Sequence, residues 1–187
     1  MSSSFPSLLS AEHDVLLVID VQERLCPVMD DPRRVLYNGS RLVRAARAMN
    51  VPIVVTEQYS KGLGPTMHDL RVDLPEDAIL EKTHFSAARE PVVQARLDAL
   101  GRRRAVLCGI EMHVCVTQTA LGLKDMGWDV FVVEEACSSR HPDSIKIARE
   151  RLTTQGVPLL SVEMVLFEWL TNKENPAFKE IMTTLIR

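Results

Sequence analysis

The sequence is short of the features that settle a protein's class at once. Aromatic residues make up only 5% of its 187 residues, and 22 basic side chains nearly cancel 25 acidic ones for a net charge of -3. That balance gives no reason to expect a nucleic-acid partner or an anionic-membrane surface. No apolar run approaches the ~20 residues that a membrane-spanning helix needs. The opening MSSSFPSLLSAEHD lacks a basic stretch followed by a long apolar one, so it does not read as a signal peptide. It reads as a frayed lead-in to the first strand. None of the four cysteines, Cys26, Cys108, Cys115 and Cys137, forms a CxxC pair, which argues against a structural zinc site. Nothing points to secretion, so free thiols and a cytoplasmic location are expected. No repeat, low-complexity tract or linker divides the chain, which is read as a single domain over 1–187.

What is present is an alternation of two patterns. VLLVID (Val15 to Asp20) is a short, branched, nearly continuous apolar run of the kind that forms a parallel strand buried on both faces. An amphipathic helix follows, with Asp30 or Asp31 as its cap and Pro32 at its first position. Further strands are expected at Val51–Glu57, Ala78–Lys82, RAVLCGI, DVFVVEEA and VPLLSV. Helices are expected from Pro91 to Leu100, Val114 to Met126, Pro142 to Gln155, Val162 to Leu170 and from Asn175-Pro176 onward. Gln58 to Asp77 reads as one long loop. Strands alternating with helices predict a three-layer α/β/α fold around a six-stranded parallel sheet.

In such a sheet, ligands bind beyond the carboxyl ends of the strands, where strand order reverses. Asp20 closes the first strand, Lys82 the third, and Cys115 follows the fourth at the start of its helix. A first helical turn and a nearby ammonium would both favour the thiolate, lowering the pKa of Cys115. Asp20 could take the thiol proton and return it to a leaving amine. Backbone N–H groups of the strand-to-helix turn could hold an oxyanion. That set suits amide hydrolysis through a thioester.

VLLVIDVQ, ILEKTHFSA and LCGIEMHVCVTQTAL, in this order, resemble the isochorismatase-like cysteine hydrolase superfamily, which includes nicotinamidases and N-carbamoylsarcosine amidases. TEQYSKGLG, EEACSSR and FKEI resemble its isochorismatase domain-containing subgroup. The resemblance implies a Rossmann-like six-stranded fold with Cys115 as nucleophile, Asp20 as acid/base and Lys82 as their support. It also implies a cis peptide between Ile110 and Glu111, with the Glu111 and Cys115 N–H groups as oxyanion hole, and a homo-oligomer. Nicotinamidases carry an Asp-x-His metal motif after the second strand. This chain has His68 alone there, so no metal or other cofactor is expected and nicotinamide is disfavoured. Cys115 itself favours C–N cleavage of a small molecule over vinyl-ether cleavage.

Candidate pocket residues by position are Gln22, Tyr59, His84, Phe85, Met112 and His113. Arg140 could pair with a substrate carboxylate or with Glu134 or Glu135. Cys108 reads as core, Cys26 as packing or rim, and Cys137 as facing the pocket. Two rivals stand beside the enzyme: a catalytically silent scaffold on the same fold, and a redox-responsive protein using Cys115 and Cys137.

Overall fold

The computed structural model describes residues 8–186. The signal-peptide reading of the first residues, and the lead-in over 1–7, lie outside the described residues. Leu9, by contrast, is packed, and its N–H donates to Glu168 Oε2 at 2.7 Å.

The chain runs β1 (Asp14–Ile19), α1 (Pro32–Ala48), β2 (Ile53–Gln58), α2 (Ser60–Leu63), α3 (His68–Arg71), β3 (Ile79–Lys82) and α4 (Pro91–Ala99). It continues β4 (Arg104–Ile110), α5 (Thr117–Asp125), β5 (Asp129–Ser138), α6 (Pro142–Thr154), β6 (Leu159–Leu160), α7 (Val162–Leu170) and α8 (Phe178–Ile181). The six strands form one parallel sheet in the order β3-β2-β1-β4-β5-β6. The order turns back between β1 and β4, the place in such sheets where ligands are generally bound at the carboxyl edge.

Local chemistry explains the elements. Every residue of β1 is buried, as a central parallel strand requires. Asp31 caps α1 by accepting the Arg34 N–H at 3.2 Å, with Pro32 leading the helix. Val35, Leu42, Val43 and Ala46 face the sheet. Truncating one such buried Leu to Ala would cost about 2–5 kcal/mol.

Four expectations need correction. Gln58 to Asp77 is not a plain loop, because β2 includes Gln58 and α2 and α3 each form one turn. Such short turns carry no legible period. The sixth strand shrinks to Leu159–Leu160 at the sheet edge, where it pairs only with β5. The last helix begins at Phe178 rather than at the Asn175-Pro176 cap. The helix expected from Val114 opens instead as a wide π turn, Met112–Val116, and α5 starts at Thr117.

A bulge in β5 shapes the carboxyl edge. Leu107 pairs with Val132, but Gly109 pairs with Cys137, so β5 contains extra residues between those pairs. Carbonyls that a bulge removes from the ladder need other donors. Arg34 supplies them, donating to the carbonyls of Glu135 and Cys137 at 2.9 Å each. Asn38 Nδ2 adds a second bond to Glu135 O at 2.9 Å. The strand then resumes in register, with Ser138 beside Ile110.

Candidate active site

Three strand ends meet where the sheet order reverses. Asp20 leaves β1 in the left-handed region at φ 52°, a conformation uncommon for a residue with a side chain. Its carboxylate is fully buried, and Oδ1 accepts the Thr56 hydroxyl at 2.6 Å. Oδ2 stands 2.7 Å from Lys82 Nζ, off the line of a good hydrogen bond. The Cys115 thiol lies close enough for this carboxyl group to act on it.

Lys82 ends β3 and is as deeply buried as Asp20. The chain folds back over its ammonium, so that Nζ also donates to His84 O at 3.0 Å and Phe85 O at 3.2 Å. Gln58 Oε1 approaches Nζ at 2.6 Å.

Cys115 lies in the π turn after β4, with 6% of its surface exposed. The Glu111 N–H points to its sulfur. The Ile110–Glu111 peptide is cis. Gly109 makes the approach to this turn possible: its φ is 121°, and a Cβ there would sit 2.1 Å from Ile19 O. No residue with a side chain fits between β4 and β1 at that point. The turn is tied at both ends. Thr117 Oγ1 donates to Met112 O at 2.6 Å, and Ser139 Oγ meets His113 Nδ1 at 2.8 Å. Glu111 Oε2 accepts the Arg140 N–H at 3.0 Å and its Nε at 3.2 Å.

The electrostatics overturn one expectation. Burial raises the Asp20 carboxyl above its usual range, against the opposing pull of Lys82 and of the Thr56 and Cys115 hydrogen bonds. The Cys115 thiol is not lowered. Burial first, and then the Asp20 charge, push it up to about 12, with Lys82 pulling the other way. Depth is the physical reason: desolvation of a sulfur anion outweighs one ammonium that is already shared with a carboxylate. The proton therefore rests on sulfur.

The remaining expected residues divide. Tyr59 and Phe85 stand on the rim, each 58% exposed. His84 is also on the rim, its Nδ1 2.9 Å from Glu90 Oε2. Gln22 is not a pocket wall, because it is fully buried and its amide is consumed by backbone groups of Gln58 and Gly64. Met112 is sealed in the core. His113 is half-buried and held by Ser139. Arg140 pairs with Glu111, not with Glu134, which pairs with Arg149, nor with Glu135, whose carboxylate accepts the Val162 N–H. Cys137 does not face the site. It is buried beside Gly109, and its charge neighbourhood includes Cys108 rather than Cys115. Cys26 is wholly buried as well. Among the described residues no group of three or more His, Cys, Asp and Glu side chains is arranged to hold a metal.

Thr56 and Gln58, both in contact with the Asp–Lys pair, were missed in the sequence. Their spacing puts them on one face of β2, which was the available signal. Ending the strand at Glu57 hid it.

A doubly wound sheet with these groups at its switch point is a hydrolase fold of isochorismatase type. The family model for the isochorismatase domain matches residues 14–164, and the chain belongs to that family. Isochorismatase domain-containing protein 1 of Danio rerio is 37% identical over 177 residues, 95% of this chain. The chain spans only 62% of that relative's length. MAR1 ribonuclease from Caenorhabditis elegans superimposes with a TM-score of 0.91 at 32% identity, covering 97% of this chain and 93% of that one. YcaC from Pseudomonas aeruginosa, solved with hexane-2,5-diol and covalent acrylamide, gives 0.89 at 25% identity, over 96% and 92% of the two chains. No helix among the described residues is long and apolar enough to cross a membrane.

Proposed function

We propose that the protein is a cysteine hydrolase that cleaves a small amide-type C–N bond through a thioester, without a metal. The observation that carries this reading is a buried Asp20–Lys82 ion pair at the strand-order reversal, with both charges acting on the thiol of Cys115. Because the thiol stays protonated at rest, deprotonation and attack are coupled. As Sγ bonds to the substrate carbonyl carbon, its proton passes to Asp20. The carbonyl oxygen gains the electron pair and meets the N–H groups of Glu111 and Cys115. The C–N bond then breaks, and Asp20 returns the proton to the leaving amine. A water molecule, deprotonated by Asp20, attacks the thioester. The thiol departs with that proton and the carboxylic acid is released. Lys82 keeps the carboxylate in place and balances negative charge at both stages. The covalent acrylamide held by the P. aeruginosa relative supports a reactive nucleophile in this group of proteins.

Assembly into a homo-oligomer belongs to the same reading. Its support is the exposure of large apolar side chains, Val28, Tyr59 and Phe85 among them. Light scattering at micromolar concentration would return a multiple of 21.0 kDa.

The test is a panel of small amides and ureido compounds scored by ammonia or amine release, with Cys115→Ala beside the wild type. RNA is included because one relative bears the name ribonuclease. The reading expects amide turnover in the wild type and none in the variant. Turnover retained by Cys115→Ala, or RNA cleavage alone, would replace it.

A further inference from the structure

Behind the Asp20–Lys82 pair stands a second pair, of glutamines. Gln22, fully buried two residues after Asp20, grips the main chain of Gln58 from both sides. Its Oε1 accepts the Gln58 N–H at 2.7 Å, and its Nε2 donates to Gln58 O at 3.1 Å and Gly64 O at 2.7 Å. The Gln58 side chain is in turn committed to the end of β3. Its Oε1 accepts from Lys82 Nζ at 2.6 Å and its Nε2 donates to Thr83 O at 2.9 Å. One unbroken chain of hydrogen bonds thus joins the ends of β1, β2 and β3 and terminates on the ammonium. An ammonium has three protons to give. The two side-chain oxygens nearest it are Asp20 Oδ2 at 2.7 Å, held as an ion pair, and Gln58 Oε1 at 2.6 Å, one charged and the other neutral.

We propose that Gln58 is a positioning residue of this site, whose amide oxygen, fixed by Gln22, holds Lys82 against Asp20 without neutralising it. The ammonium charge is then left to be shared between Asp20 and the thiolate that develops during attack. The inference deepens the Cys115 reading and rests on it. Neutrality is the essential property. A carboxylate of the same size at position 58 would compete with Asp20 and the developing thiolate for the ammonium and add a negative charge against it. A side chain of similar length with no acceptor would leave the ammonium to Asp20 and the carbonyls of His84 and Phe85, with nothing drawing it toward β2.

The surroundings make the charge count simple. Asp20 and Lys82 are the charged groups that bear on the Cys115 thiol. The carboxylates on the adjoining strand ends are already engaged: Glu57 by Thr66, Glu81 by Ser60, and Glu90 by Thr83 and His84. A change at position 58 therefore alters one charge in an otherwise settled set.

The experiment follows iodoacetamide alkylation of Cys115 by mass spectrometry between pH 7 and 10. It compares wild type, Gln58→Glu, Gln58→Met and Lys82→Met, with thermal melting of each. Gln58→Glu should raise the apparent pKa of Cys115 by about one unit, slowing alkylation about tenfold at a fixed pH. Gln58→Met should slow it by less, between wild type and Lys82→Met. A purely structural role would lower melting temperatures without separating the two Gln58 variants. Should Gln58→Glu fail to fold, a Gln58→Met protein that alkylates at the wild-type rate overturns the proposal by itself. Unchanged rates in both Gln58 variants, with Lys82→Met slowed, overturn it while the Cys115 reading stands. Unchanged rates in all three variants remove that reading as well.

Discussion

β1 carries a buried carboxylate at each end, and the two make different things of it. Asp14 opens the strand and Asp20 follows its close, both with no exposed surface. Each faces a cation, and in each case burial raises the carboxyl pKa. At the amino end, Asp14 Oδ2 accepts the Trp169 Nε1–H at 2.7 Å and the Ser10 N–H at 2.9 Å, with Arg104 Nη1 3.5 Å from Oδ1. Arg104 also reaches Leu8 O at 2.7 Å. Those contacts bind the segment before β1 to α7. The partner is a guanidinium, which does not give up a proton in proteins. At the carboxyl end the partner is a lysine, and a thiol lies within the influence of the same carboxyl group. A buried ion pair is therefore no mark of catalysis in itself. The thiol beside it, and the reversal of strand order above it, are what set Asp20 apart.

Exchanging each carboxylate for its amide should separate these roles most sharply. Asp20→Asn should lower amide turnover by about 10³-fold or more, since it removes the proton acceptor of every step. Asp14→Asn should leave turnover per folded molecule unchanged. A comparable loss of turnover in both variants would erase the distinction. Lys82→Met comes next, with an expected loss of about 10²-fold and destabilisation of about 3 kcal/mol from an unpaired buried carboxylate. Its acid limb in a pH–rate profile should move upward, because Asp20 loses the charge that opposes its protonation. In urea unfolding at pH 7, Asp14→Asn should cost about 1–3 kcal/mol, the scale of one broken buried hydrogen-bonded contact.

The pH dependence of that difference has a definite sign. The folded chain holds the Asp14 proton more tightly than the unfolded chain does. The favourable term is therefore present below the ordinary carboxylate pKa and is lost as pH rises through the raised folded value. Wild type should exceed Asp14→Asn in stability by more at pH 4 than at pH 7. The smallest effect is expected at Glu90, held at about 2 mainly by His84 and the N–H groups of the turn over Lys82. Glu90→Gln should leave the melting temperature nearly unchanged and reduce turnover only severalfold, by loosening that turn.

Much of this was legible in the sequence because parallel strands announce themselves as apolar runs, and the reactive residues fall at their ends. Asp20, Lys82 and Cys115 could be placed on one rim from order alone. The turn carrying Cys115 could not. Its shape depends on Ser139 and Arg140, which are set by a β5 bulge that Arg34 holds from about a hundred residues away. The direction of the thiol's shift was also out of reach, because it follows from depth of burial rather than from the type of neighbour. Gln22 and Gln58 show a third limit. Both are near the site, but only the folded backbone tells which amide meets the ammonium and which meets the main chain.

The central claim is that Cys115 keeps its proton at rest and passes it to Asp20 during attack. It is tested most directly by the rate of Cys115 alkylation with iodoacetamide at pH 8 in wild type, Asp20→Asn and Lys82→Met. Asp20 raises the thiol and Lys82 lowers it, so the predicted order is Asp20→Asn fastest, wild type next and Lys82→Met slowest, although Asp20→Asn is the variant expected to lose most amide turnover. Equal rates in the three proteins, or the reverse order, would contradict the account.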